Sequence, residues 1–149
     1  MHDIRFYHLT TTSLEAALPR LLEKTLARGW RALVRAGSEA RVEALTAHLW
    51  TYSEESFLPH GSPKDGYAEM QPVWLDTDAA NANGAQVLFL TDGTYSEDIS
   101  AFEIVAELFD GTDTQALLAA RAHWRSYKKA GYTPTYWKQD ADGRWIKGA

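Results

Sequence analysis

The first fifty residues alternate between strand-like and helix-like patterns, and this alternation constrains the fold more than any other feature of the chain. Ile4-Arg5-Phe6-Tyr7-His8-Leu9 is a short apolar and aromatic run suited to a strand. It ends at three threonines and Ser13, a residue that suits a helix N-cap, although Ala16 leaves the capping-box position unfilled. Over residues 14–28 the apolar side chains Leu14, Ala17, Leu18, Leu21 and Leu22 recur at helical spacing, and Gly29 closes the helix. Trp30-Arg31-Ala32-Leu33-Val34-Arg35 reads as a second strand. Gly37-Ser38 then leads into a second helix over about 39–50, with Val42, Leu45 and Leu49 on one face. A β-α-β-α order of this kind builds a mostly parallel sheet flanked by helices, joined by right-handed crossovers.

Further along, Val73-Trp74-Leu75 and Gln86-Val87-Leu88-Phe89-Leu90 are strand candidates. A short helix is expected over about 99–108, then a turn at Phe109-Asp110-Gly111 and a longer helix over about 113–130 capped by Gly131. The C-terminus reads as a hairpin or extended tail around Asp142-Gly143. With 149 residues, 45% of them hydrophobic, and no repeat, linker or low-complexity tract, residues 1–149 are expected to form a single domain.

Cysteine is absent, which removes disulfides and thiolate metal sites. The N-terminus has no basic segment followed by an apolar core, and no run approaches the ~20 apolar residues needed to cross a bilayer. A cytoplasmic protein, neither exported nor inserted in a membrane, is the expectation. The net charge of −5 hides an asymmetry: residues 117–149 hold seven basic and two acidic side chains, and residues 1–116 hold eight and eighteen. A basic end on an acidic body suits an anionic partner.

A nucleotide-binding protein of this class needs glycines at the first strand-to-helix junction, so that backbone amides can approach a phosphate. Here the junction is Leu9-Thr10-Thr11-Thr12-Ser13, and neither G-x-G-x-x-G nor G-x-x-x-x-G-K-S/T occurs. Histidines at 2, 8, 48, 60 and 123 form no i, i+4 pair of the kind that ligates a metal. Ser53 and Ser56 sit near His60, but no strand-turn-helix elbow surrounds either serine, and His60 is expected to serve as a structural hydrogen-bonding group. No catalytic residue, metal or cofactor is expected, and the chain reads as a binding module.

Two stretches have the character of binding surfaces. Residues 50–61 lose helical periodicity yet remain rich in bulky groups: Trp50, Tyr52, Phe57 and Leu58, beside Pro59. In the last helix, Leu117, Arg121, Trp124, Arg125 and Lys128 share one stripe at 100° per residue, with Ala116, Ala119, Ala120, His123 and Tyr127 nearer the other side. Two guanidiniums, an ammonium and an indole fit an acidic peptide with an aromatic end better than a long phosphate backbone. The alternative is direct binding of single-stranded nucleic acid by the basic, tryptophan-bearing C-terminal third.

Several blocks in colinear order carry a family resemblance over nearly the whole chain. They are Phe6-Tyr7-His8-Leu9, Trp50 with Phe57-Leu58-Pro59-His60-Gly61, Gln71-Pro72-Val73-Trp74-Leu75, Phe89-Leu90, Phe102-Glu103-Ile104-Val105, Phe109-Asp110-Gly111, the run from Ala120 through Arg125 to Tyr132, and Tyr136-Trp137-Lys138-Gln139. In these the chain resembles the chi subunit of bacterial DNA polymerase III, an accessory protein of the clamp-loader assembly. The resemblance implies a Rossmann-like, three-layer α/β fold without a nucleotide-binding loop, and a non-catalytic role in DNA replication. It implies that Arg121, Trp124, Arg125 and Lys128 receive the acidic, phenylalanine-ended C-terminal tail of the single-stranded-DNA-binding protein, so that contact with nucleic acid is mainly indirect. It further implies that Trp50, Phe57, Leu58 and Pro59 receive the psi subunit or another clamp-loader component. The chain departs from the family at Trp124, where tyrosine is common, and in a longer extension after Gln139.

Overall fold

The apolar run at the start of the chain forms strand β1 (Asp3–Leu9) in the computed structural model, which describes residues 2–10, 12–52, 58–78, 80–96, 98–142 and 144–148. Ser13 caps α1 (Leu14–Ala27), its hydroxyl oxygen accepting from the Ala16 amide at 3.2 Å. The chain leaves the helix through Gly29 at φ +79°, a left-handed conformation that glycine adopts without steric cost. The same pattern repeats in β2 (Ala32–Arg35) and α2 (Glu39–Thr51), which Ser38 caps. β3 (Val73–Asp76) and β4 (Val87–Leu90) follow as expected.

The helix expected over 99–108 is absent, and Ile104–Asp110 forms strand β5 instead. Its run Ile104-Val105-Ala106-Glu107-Leu108-Phe109 is buried on both sides of the sheet, so it carries no alternation that would mark it as a strand. Its β-branched start favours the pleated conformation. After β5 come α3 (Thr114–Lys129) and an antiparallel hairpin of β6 (Thr135–Gln139) and β7 (Trp145–Lys147).

The strand order is β3-β2-β4-β5-β1-β6-β7, and every pairing except β6–β7 is parallel. β1 therefore lies between β5, paired from Asp3–Ile104 to Leu9–Asp110, and β6, paired from Arg5–Thr135 to His8–Lys138. Alternation of side chains divides the interior into two layers. Leu18 and Leu22 of α1 and Leu45 and Leu49 of α2 pack with Val34, Leu75 and Ala106 on one face. Ala120 and Tyr127 of α3 pack with Phe6, Leu33, Leu88 and Val105 on the other. Each fully buried leucine or phenylalanine contributes roughly 1.5–3 kcal/mol relative to exposure. The result is a three-layer, mostly parallel α/β fold with an open sheet. Among the described residues no helix is long and apolar enough to cross a membrane.

Candidate functional site

α3 is placed by its ends and its inner face. The Asp113 carboxylate accepts from the Gln115 amide at 2.9 Å and the Ala116 amide at 3.4 Å, which satisfies two otherwise orphaned donors. Tyr127 and Ala120 are buried against the sheet, and half-buried Trp124 meets Phe6 edge-to-face at 5.2 Å between ring centroids. That contact fixes the indole while leaving part of it exposed.

Beside Trp124, α3 and the sheet enclose a groove of about 420 Å³. Leu117, Ala120, Arg121, Trp124 and Arg125 line it from the helix, Phe109 and His8 from β5 and β1, and Tyr136 from β6. Arg121 and Arg125 are exposed and make no ion pair among the described residues, and no carboxylate lines the groove. Lys128 is exposed one turn further along and does not line it. Ala120, placed by helical spacing on the opposite side from the stripe, is part of the groove wall. The spacing argument treats the helix as isolated, whereas the groove is defined by where the sheet meets it.

His8, Phe109 and Tyr136 line the groove without any local sequence signal that groups them, because only the order of β5, β1 and β6 brings them under α3. The Tyr136 hydroxyl and His8 Nδ1 are hydrogen-bonded, and burial, reinforced by the nearby Lys138 charge, lowers the pKa of the imidazole. Gly111 makes this possible: a Cβ there would stand 1.6 Å from His8 Nε2. Phe109 and Asp110, expected in a turn, end β5, and the Gly111 that follows them is the local signal that an imidazole lies against the backbone at this point.

The larger hollow, about 790 Å³, lies at the carboxyl ends of β1 and β5, where doubly wound proteins bind nucleotides. It is lined by Glu15, Asp92, Glu107, Asp110 and Asp113, and its cation, Arg41, already pairs with Asp92 at 3.2 Å and Glu15 at 3.4 Å. Ser13 and Asp113 occupy the α1 and α3 N-termini. A phosphate placed there would meet negative charge and committed donors. Among the described residues no three histidine, aspartate or glutamate side chains are grouped to hold a metal ion.

Residues 58–61 lie at the far, β3 edge of the sheet. His60 is buried and bonds through its ring nitrogens to the carbonyls of Leu58 at 2.7 Å and Thr46 at 3.0 Å, the structural role expected of it. Gly61 then bridges to Trp74 of β3. Trp50 is 60% exposed, with its ring 4.7 Å from that of His60. Leu58 is buried in the core and Pro59 is half-buried, so of the predicted partner-binding residues that are described, Trp50 and Pro59 reach solvent. Phe57, Ser53 and Ser56 lie outside the described residues.

The family described as DNA polymerase III chi subunit, HolC, matches residues 1–135. A relative from Rickettsia prowazekii (strain Madrid E), named as a probable DNA polymerase III subunit chi, is 31% identical over 94 residues. That match covers 63% of this chain and spans 57% of the relative's length. With the family pattern running through β1, β5 and α3, the chain belongs to the DNA polymerase III chi subunit family, a family of accessory replication subunits.

Proposed function

We propose that this chain is a non-catalytic linker of the replication machinery, tethering the clamp-loader side of DNA polymerase III to single-stranded-DNA-binding protein by holding that protein's acidic C-terminal tail. The observation that carries this reading is the pair of exposed guanidiniums, Arg121 and Arg125, at the rim of an apolar groove walled by Trp124 and Phe109. Guanidiniums suit carboxylates bidentately, and the hollow accepts an aromatic side chain. One buried phenylalanine contributes roughly 1.5–3 kcal/mol, and solvent-exposed ion pairs add little each. A single contact is therefore weak and salt-sensitive, and a coating protein that presents several tails gains from multivalency.

Trp50 and Pro59, with Phe57 and the supporting Leu58, are proposed as the surface for psi or another clamp-loader component. Trp50, Leu58 and Pro59 lie toward the β3 edge, across the sheet from the α3 groove, which leaves room for both partners to bind at once. Titration with a labelled acidic peptide ending in phenylalanine tests the tail site. Saturable binding at low salt, lost in Arg121→Ala/Arg125→Ala, supports it; binding unchanged in that variant removes the site assignment.

A further inference from the structure

A second groove lies on the opposite face of the same strands. Side chains alternate along β1 and β6, so His8 and Tyr136 face α3 while Arg5, Tyr7 and Trp137 face the α1 side. Between the C-terminal half of α1 and the aromatic group Tyr7, Trp137 and Trp145 runs a groove of about 650 Å³, with Phe89 and Ala106 in its lining. Five cations line it, Arg5, Arg20, Lys24, Arg28 and Arg144, and no carboxylate does. Arg5 pairs with Asp3, and Arg144 with Asp140 and Asp142. Arg20, Lys24 and Arg28 are exposed and have no ion pair among the described residues. Arg20 and Lys24 stand on successive turns of α1 and Arg28 is its C-cap residue, so the three follow one another at about 6 Å along the helix axis. The Arg28 guanidinium lies 3.8 Å from the centre of the Trp30 ring, and that of Arg5 5.6 Å from that of Trp137.

A row of unpaired cations beside half-buried indoles, on a chain whose net charge is −5, selects a polyanion that also offers flat rings. An acidic peptide with one aromatic end would match a single indole, as at the α3 groove, whereas a strand carrying a base at every phosphate matches the row of cations and both Trp137 and Trp145. A duplex keeps its bases stacked inside and would not reach them. We infer that this groove binds a single strand of nucleic acid, with phosphates along Arg20, Lys24 and Arg28 and bases against Trp137 and Trp145. The C-terminal residues supply the aromatic wall, but the cations come from α1, in the acidic part of the sequence. This inference does not rest on the tail site, which uses the other face.

The test is anisotropy of a labelled oligothymidylate with the full chain. Expected is saturable binding at low salt with quenched tryptophan emission, a salt slope of about −2 for three phosphate contacts, and binding weakened at least about tenfold with a flattened slope in Arg20→Ala/Lys24→Ala/Arg28→Ala. These side chains are exposed, and an unchanged circular dichroism spectrum and melting point verify that the variant is folded. Arg121→Ala/Arg125→Ala should bind the oligonucleotide as wild type does. The inference is overturned by absence of binding at low salt, by binding unaffected in the triple variant, by loss in the α3 variant, or by equal affinity for a duplex of the same length. Displacement of the strand by an acidic peptide at α1 would likewise overturn it.

Discussion

The crevice at the carboxyl ends of β1 and β5 and the groove beside α3 share Phe109 and Ala116's helix, yet they offer opposite chemistry. The crevice is the larger and occupies the place where this fold class binds phosphates, but acidic side chains line it and its arginine is already paired. The groove is smaller and off the usual place, but it joins unpaired guanidiniums to an apolar hollow. The difference teaches that architecture supplies hollows and side chains decide what enters them. A search guided by fold or by volume alone would select the crevice, whose charge argues against a phosphate.

The strongest way to break this contrast is to reverse charge. Arg121→Glu/Arg125→Glu should weaken binding of the phenylalanine-ended acidic peptide about 100-fold or more, because it replaces attraction by repulsion at both guanidinium positions. Asp110→Asn in the crevice should change the same affinity less than about twofold. Calorimetry on the two variants checks both, and comparable losses would merge the regions into one site.

Next in size is Gly111→Ala. A methyl group 1.6 Å from His8 Nε2 forces the imidazole away from Tyr136, with an expected loss of about 1–3 kcal/mol in denaturant-monitored stability. Adding His8→Ala should recover part of that loss, and additive losses would show that the clash lies elsewhere.

Trp124→Ala removes one wall of the groove and the edge contact with Phe6, and should weaken peptide binding about tenfold. Trp124→Tyr keeps an aromatic wall and should stay within about threefold of wild type. An equally large loss in both would mean that indole shape, not apolar cover, is what the peptide reads.

The smallest effect is electrostatic and lies behind α3. His123 Nδ1 lies 2.9 Å from both carboxylate oxygens of buried Glu107, and the Tyr95 ring covers the imidazole at 4.8 Å. Burial, only partly offset by His123, pushes the Glu107 carboxyl above the usual carboxylate range. A raised carboxyl pKa means that the native state holds the proton more tightly than the unfolded chain does. Its contribution to stability is therefore complete below the unfolded value of 4.5 and falls as pH rises through the folded one. Glu107→Gln should flatten that decline in chemical denaturation series run from acidic to neutral pH. An unchanged profile would place the dependence on other groups.

Much of this was legible in residues alone, for physical reasons that also mark where legibility ends. Ser13 and Gly29 announce the ends of α1 because capping and left-handed geometry are local requirements. The α3 stripe was legible because helical periodicity places Arg121, Trp124 and Arg125 together without help from the rest of the chain. β5 was not, since a strand buried on both faces has the composition of a buried helix. His8, Phe109 and Tyr136 were hidden because their meeting depends on β1 lying between β5 and β6, a long-range choice with no local signature. The pairing of Arg20, Lys24 and Arg28 with Trp137 and Trp145, more than a hundred positions apart in sequence, was hidden for the same reason.

The central claim, that the acidic tail docks on the α3 face, is tested most directly by the indole N–H resonances of the six tryptophans during titration with the phenylalanine-ended peptide. The account predicts that the Trp124 resonance shifts progressively to saturation while those of Trp30, Trp50, Trp137 and Trp145 stay in place. A stationary Trp124 with movement at Trp50 or at Trp137 and Trp145 would contradict it.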